Sequence, residues 1–481
     1  VLKHAPSIFM ALELWQKLNS ANAILSARSV PQPPRRTVVP PDSPIALRRF
    51  PAAAYLSENR TRRLALTAVA RHGVCVLSGC EEGQGGLEHI VAAFGFVRET
   101  NYGRLFDVRV MPSPTNSAFT DQGLAPHTDN PYREQPPALQ LLHCIEAAQE
   151  GGETLLVDGF KAATDLRDKN PEAFALLAST PVRFAWRNTH TILEALAPVV
   201  SLSADGDVIG LRVNDRALLG PVAASGIGAQ WHAAYSIFLD VIATSRACTH
   251  LSLSPGDILI LDNRRFLHGR TGFADGNRFL QGCYADRCGL LSTLAVLEET
   301  EAIKRVDALL DTLAGPAGEE SYGEGVSLRA HSLQAAAIAR AQGRDEAFIA
   351  AALLHDIGWA VAEEPHELVG AARVAAVFGD AVSAAIRLHV DAKRYLVAAE
   401  PDYFQQLSAA SLATLALQGG AMTAEEASAF AALPGSAEAI ALRRIDEQAK
   451  EADAEGAPLE SYRPLLHRLA LTKIWAEDVN T

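Results

Sequence analysis

"AALLHDIGWAV" (residues 351–361) sets His355 beside Asp356 at the end of an apolar run. Burying either side chain is costly without a partner, and a metal ion satisfies both. On a helix, neighbouring side chains diverge by about 100°. One member of the pair can therefore hold a first ion while the carboxylate reaches between two. The text around it is helical in pattern. "TEAIKRVDALLDTL", "SLQAAAIARAQ", "HELVGAARVAAVFG" and "AEAIALRRIDEQAK" carry Ala and Leu at helical spacing and fill the chain after about residue 295. Five histidines follow residue 300, at 331, 355, 366, 389 and 467. A lone histidine is more often a core group than a ligand. Four of the five, with Asp356 and Asp446, run in the order H…HD…H…H…D, which supplies donors for two ions.

The whole chain has 481 residues, more than one ordinary core holds, so two or three domains are expected. At 48% hydrophobic and 21% charged it reads as soluble and globular. A net charge of −13 argues against nucleic acid or an anionic membrane as partner. A small anionic substrate stays compatible, because a few local Arg and Lys can dominate a pocket. Six cysteines at irregular spacing form no CxxC pair and no disulfide framework, which fits a reducing cytoplasm. No apolar run approaches the roughly 20 residues needed to span a bilayer.

Three segments follow. Residues 1–45 read as an N-terminal helix and a Pro-rich linker, "VPQPPRRTVVPPDSP" (30–44). Residues 46–292 hold short apolar runs bounded by Gly, Pro or Asp: "GVCVLSG", "LQLLHCIE", "ETLLVDGF" and "DILILDN". These read as buried strands, one of them announced by the turn "SPGD" (254–257). Residues 293–481 read as all-α.

The strand-rich segment has its own candidate site. In "LAPHTDNPY" (124–132), His127 and Asp129 stand two apart and point the same way on an extended chain. "DNRRFLHGRTGF" (262–273) offers His268 as a third donor. Two His and one carboxylate on one face leave metal positions open, as in non-haem Fe(II) oxygenases. Arg278, ten residues on, can clamp a carboxylate bidentately. HxD alone is common; HxD, then about 140 residues, then His and Arg, is far more specific.

"HTDNPYREQPPALQLLHC", "GGETLLVDGF" and "LHGRTGF…NRFLQGCYAD" resemble the gamma-butyrobetaine hydroxylase and trimethyllysine dioxygenase branch of the 2-oxoglutarate oxygenases, over about 46–290. The resemblance implies a double-stranded β-helix, or jelly roll. It implies Fe(II) on His127, Asp129 and His268, and 2-oxoglutarate on Arg278, with O2 as co-substrate. It also implies an aromatic cage of Tyr102, Phe106, Phe119 and Tyr284 that holds a quaternary ammonium by cation–π attraction. Asn116 and Asn214 match substrate contacts.

"YGEGVSLRAHSLQAA", "LHVDAKRYLV", "LSAASLATLALQGGAM" and "ALRRIDEQAK" resemble the HD-domain mixed-valence di-iron oxygenases that cleave carbon–phosphorus bonds, over about 300–475. That resemblance implies a di-iron centre on His331, His355, Asp356, His366, His389 and Asp446. Lys393, one helical turn after His389, matches the group that holds the phosphonate. Ser411 and Arg443 match its other anion contacts, and Gln418 and Glu324 match pocket-lining positions. Trp359 stands where relatives often carry His, and the loop from His355 to His366 is shorter than usual.

Together the two resemblances imply a bifunctional enzyme of organophosphonate catabolism. C1 hydroxylation of 2-(trimethylamino)ethylphosphonate, or a related 2-aminoethylphosphonate, would be followed by oxidative C–P cleavage to glycine betaine or glycine and phosphate. No tunnel between sites is expected, and a homodimer is expected from the resemblance alone. Two alternatives join the same hydroxylase to an HD phosphohydrolase or to a nucleotide-sensing HD module.

Overall fold

Val74–Ser78, Leu139–Glu146, Ile258–Asp262 and Phe279–Ala285 are the continuous apolar runs of the first half, and they pair into one sheet. The computed structural model describes residues 45, 47–80, 85–114, 117–221, 227–245, 248–274, 277–321, 325–361, 365–451 and 456–480. The expected N-terminal helix and most of the linker lie outside them. By its internal contacts the chain divides between Leu297 and Glu298, against an expected boundary after residue 292.

In the first unit six strands stand in the order Arg49–Pro51, Val74–Ser78, Ile258–Asp262, Leu139–Glu146, Phe279–Ala285, Phe106–Val108. All neighbours are antiparallel except the first pair. Successive side chains on a strand face opposite ways, and here both faces are covered. Cys75, Leu77, Leu141, Ile260 and Cys283 pack against Tyr55, Leu66, Val69 and Ile90 of flanking helices. Val74, Val76, Leu142, Leu259 and Leu280 pack against Leu156, Leu251 and Phe266 of a second sheet. Double coverage is why these strands read as unbroken apolar runs rather than alternating ones. The second sheet runs Thr249–Leu251, Thr154–Asp158, Phe266–Arg270, Leu124–His127, again antiparallel. Two sheets face to face around one core make the jelly roll.

Between Thr154–Asp158 and Thr249–Leu251 the chain inserts three helices, a three-stranded sheet and a two-stranded ladder. They bury a core of their own around Phe160, Phe184, Trp231 and Phe238.

The second unit is all-α. Several of its helices start on side-chain caps: Ser327 accepts from Ala330 N, Asp345 from Phe348 N, and Thr423 forms a capping box with Glu426. Glu346–Leu354, the helix of the opening quotation, is buried from Phe348 to Leu354 on every side. An all-apolar helix of this length belongs inside a core. It delivers His355 directly into the centre of the unit, 0% exposed. Among the described residues no helix is long and apolar enough to cross a membrane.

Candidate metal centres

In the first unit the strand register builds the site. His268 lies directly opposite His127 across the ladder between Phe266–Arg270 and Leu124–His127. Cross-strand partners share a face, and the two imidazoles stand 4.6 Å apart, centre to centre. Asp129 joins them, with Oδ1 3.4 Å from His127 Nε2 and Oδ2 3.8 Å from His268 Nε2. One donor atom from each residue lies within 4.8 Å of the others. His127 Nδ1 is 3.0 Å from the Ala125 carbonyl. A carbonyl only accepts, so Nδ1 carries the proton and Nε2 offers its lone pair to the centre.

Three neutral residues hold Asp129, and two of them, Gln140 and Asn263, were not singled out in the sequence. Gln140 Nε2 and Tyr284 Oη donate to Oδ2 at 2.7 and 2.8 Å. Asn263 clasps the backbone, accepting from Asp129 N at 2.7 Å and donating to its carbonyl at 3.0 Å. Burial alone would favour the neutral acid, but the imidazoles of His127 and His268 close beside it and the hydrogen bond from Tyr284 hold Asp129 well below the usual carboxylate range. Burial and the nearby His127 hold His268 down to about 3, which leaves it a free base. Two neutral imidazoles and one carboxylate suit a divalent metal.

The cavity above this trio opens between the two sheets. Tyr102, Phe106, Phe119, Tyr284 and Arg278 all line it. Phe106 lies 5.0 Å from Tyr284 and 6.1 Å from Tyr102. Arg278 is 6% exposed, and its Nε donates to the Gly152 carbonyl at 2.9 Å. Its two terminal nitrogens have no hydrogen-bond partner among the described residues, and no carboxylate pairs with it there. Burial, reinforced by Arg270, lowers its pKa to about 10, so it stays charged at neutral pH.

Asn214 does not line this cavity. Its amide donates to the Thr128 carbonyl at 3.1 Å, and its oxygen accepts from Arg216 N. It braces the metal loop instead of meeting a ligand. Asn116 lies outside the described residues. Trp186, from the insertion, packs edge-on against Tyr102 at 5.9 Å.

In the second unit one carboxylate organises the site. Asp356 Oδ2 lies 3.6 and 3.5 Å from Nε2 of His331 and His355. Its Oδ1 lies 3.3 and 3.5 Å from Nε2 of His366 and His389. Asp446 Oδ1 completes the first group, 3.3 Å from His331 Nε2. Two donor clusters result, His331–His355–Asp446 and Asp356–His366–His389. The Nδ1 atoms of His331, His355 and His389 face the carbonyls of Ala449, Ala352 and Ile386 at 2.8, 2.9 and 2.6 Å. Their Nε2 atoms are therefore the lone-pair side. His331 and His355 bring those atoms within 3.1 Å, and His366 and His389 within 3.3 Å. Two lone pairs this close repel unless a proton or a metal ion lies between them. Against burial, Asp446 and Asp356 raise His331 to about 9, because both carboxylates face it and favour positive charge there.

Gly358 shapes the second cluster. A Cβ there would stand 1.9 Å from the His366 carbonyl, so only glycine lets the turn after Asp356 lie against the helix that presents His366.

Lys393, Ser411, Arg443, Gln418 and Trp359 line the cavity over this centre. Lys393 is 3% exposed and donates to Thr414 Oγ1 at 2.8 Å. No carboxylate pairs with it among the described residues. Burial, then Arg443, lowers it to about 8. Gln418 Oε1 is buried without a hydrogen-bond partner. Arg443 is placed differently from the expectation of a free anion contact. It is engaged by Asp446, Glu447, Ser411 Oγ and Tyr403 Oη. Its charge helps hold Asp446 ionised against burial. Ser411 Oγ is likewise occupied, between Arg443, Glu447 and Lys450. Trp359 stacks on His366 at 4.3 Å. Glu324 lies outside the described residues.

A jelly roll with a two-His, one-carboxylate centre, joined to a helical His/Asp centre, defines an oxygenase domain followed by an HD domain. Residues 40–284 match the taurine catabolism dioxygenase TauD, TfdA family, and the chain belongs to it. Residues 328–446 match the HD domain. The gamma-butyrobetaine dioxygenase of Pseudomonas sp. (strain AK-1) is 36% identical over 257 residues, 53% of this chain and 67% of its own length. The human gamma-butyrobetaine dioxygenase is 30% identical, over 49% of this chain and 62% of its own. The rat mitochondrial trimethyllysine dioxygenase is 30% identical, over 47% and 55%. The chain thus spans between half and about two thirds of these relatives. A solved asparagine oxygenase complex with Fe(II), 2S,3S-3-hydroxyasparagine and succinate shares 21% identity at a TM-score of 0.40, over 49% of this chain and 83% of that one.

Proposed function

We propose that this chain is a bifunctional oxygenase that hydroxylates 2-(trimethylamino)ethylphosphonate, or a close aminoethylphosphonate, at C1 and then cleaves its C–P bond. One observation carries the reading. Each metal cavity holds a buried cation that no carboxylate pairs with among the described residues and whose donors are not all used: Arg278 in the first, where the other buried cation, Arg270, spends its guanidinium on backbone carbonyls, and Lys393 in the second.

Charge counting shows what each cavity accepts. A divalent ion on His127, Asp129 and His268 leaves a net charge of one, and Arg278 and Arg270 add to it. A dicarboxylate such as 2-oxoglutarate offsets two of these charges, its far carboxylate on the Arg278 fork. Two ions on Asp356 and Asp446 leave the second centre positive, and Lys393 adds to it. A phosphonate dianion balances that charge, whereas a neutral substrate does not. Iron, when bound, supplies activation of O2 and removal of a hydrogen from carbon.

The protein's own residues do the rest. Tyr102, Phe106, Phe119 and Tyr284 present aromatic faces to a trimethylammonium group, which attracts it without a countercharge. Gln140 and Tyr284, donating to the Asp129 carboxylate, keep that ligand ionised, and Asn263 fixes its backbone. In the second cavity Lys393 holds the phosphonate, and Arg443 keeps Asp446 anionic for the metal. The first step consumes 2-oxoglutarate and O2 and yields succinate and CO2. The second consumes O2 and yields phosphate with glycine betaine.

The test supplies Fe(II), ascorbate, 2-oxoglutarate and the phosphonate, and measures free phosphate with and without O2. Oxygen-dependent phosphate release is expected, and His355→Ala should accumulate the C1-hydroxylated phosphonate. Phosphate released without O2 would instead mark the second unit as a hydrolase.

A further inference from the structure

We propose that a separate cavity in the first unit binds a small oxyanion, one bearing carboxylate or phosphate oxygens. This cavity encloses about 610 Å³ and shares no lining residue with the metal cavity. Four arginines reach it: Arg98, Arg212, Arg264 and Arg287.

Two of the four are already neutralised. Arg98 pairs with Asp286 at 2.9 Å, and Arg287 pairs with Asp262 at 2.9 Å. The other two are not. Arg212 spends its guanidinium on the carbonyls of Pro131, Arg133 and Glu134, which satisfy its donors and leave its charge unopposed. Arg264 makes no side-chain hydrogen bond among the described residues. Its Nε is buried without a partner and stands 3.9 Å from an Asp262 carboxylate already committed to Arg287. The two residues are neighbours, since Leu211 N donates to the Arg264 carbonyl at 2.8 Å.

A guanidinium whose nearest carboxylate stands 3.9 Å away and is shared with Arg287, and whose buried Nε has no hydrogen bond, is only partly compensated. Beside a second unopposed cation, in a cavity of this size, it is matched by a carboxylate or phosphate group presenting two oxygens. Glu134, also in the lining, is exposed and leaves the interior positive. The site does not depend on the reaction proposed for either metal centre.

The experiment reads Arg264 itself. The full-length protein is treated with phenylglyoxal at constant ionic strength, and modification of the Arg264 peptide is followed by mass spectrometry. The treatment is repeated with millimolar inorganic phosphate and with millimolar succinate. At least one anion should slow Arg264 modification about tenfold, the scale of one charge-assisted pair. Protection by phosphate alone assigns a phosphoryl ligand, and protection by succinate alone assigns a carboxylate. Arg278→Met and Lys393→Met chains should show the same protection, because those cations serve other cavities. Equilibrium dialysis with the protecting anion should show one fewer bound per chain in Arg264→Gln. Equal modification rates with and without both anions would overturn the proposal, as would undiminished binding in Arg264→Gln.

Discussion

In the first unit, two metal-facing histidines are neighbours in the sheet but 141 residues apart in the chain. In the second, four histidines come from helices that follow one another over residues 328–399. The sheet site gathers its donors by strand register, and the helical site by spacing along consecutive helices. Their supports differ accordingly. Nδ1 of His331, His355 and His389 each meets a backbone carbonyl, two of them within the same helical turn. In the sheet, His127 has such a contact, while His268 Nδ1 is buried without a partner among the described residues. Asp129 is instead steadied by Gln140, Tyr284 and Asn263. Helical geometry orients a ligand through its own backbone, whereas a sheet must borrow side chains from other strands.

The sharpest break in that comparison is Asp356→Ala. One carboxylate serves four imidazoles, so its loss should empty both positions of the helical centre and stop phosphate release. Metal analysis should still find the ion of the sheet centre, because no ligand is shared. Arg278→Ala comes next. Removing a buried cation from its anion should raise the KM for 2-oxoglutarate roughly a hundredfold. Phosphate release from synthetic C1-hydroxylated substrate should be unchanged. Gly358→Ala forces a Cβ against the His366 carbonyl and should destabilise the second unit by about 1–3 kcal/mol, read as a lower unfolding midpoint. Gln140→Leu takes one donor from Asp129 and should weaken iron binding in the first unit about tenfold, measured by competition with a chelator.

The smallest expected effect is a pH dependence of the second cavity. Lys393 must be protonated to hold an anion, and its value in the fold is about 8. Phosphonate affinity should therefore fall as pH rises through 8, by up to about tenfold per unit. Lys393→Arg should flatten that profile. The fold itself responds the other way. The unfolded lysine titrates near 10.5, so between 8 and 10.5 the unfolded chain binds more protons, and this group's contribution to stability rises with pH. Weaker binding above pH 8 is thus separable from unfolding.

The donor atoms of both centres were legible in the sequence because histidines are scarce and fall in a fixed order. The apolar runs likewise pointed to buried strands, since burial on two faces leaves a continuous hydrophobic stretch, while the jelly roll itself followed from the family resemblance. Asn263 and Gln140 were not legible. They are neutral residues whose partners lie 134 and 11 positions away, and no periodicity marks such contacts. Gly358 could have drawn notice as the glycine just after His355–Asp356, but its reason is a close approach seen only in three dimensions. Arg443 and Asn214 were read as ligand contacts because their type and position fit. The structure spends both on neighbours, as polar side chains next to a buried charge commonly are. The insertion between Asp158 and Thr249 was missed because its strands are short and its core, which packs on Val157 and Leu267 of the second sheet, leaves no long continuous apolar run in them.

The central claim is a mononuclear ion in the sheet unit and a pair in the helical unit. Iron should be counted in anaerobically reconstituted full-length protein and in two variants, His268→Ala and His355→Ala. Three equivalents are predicted for the parent, two for the first variant and between one and two for the second. A parent chain that holds a single tight equivalent, or a His268→Ala chain that loses every ion, would contradict it.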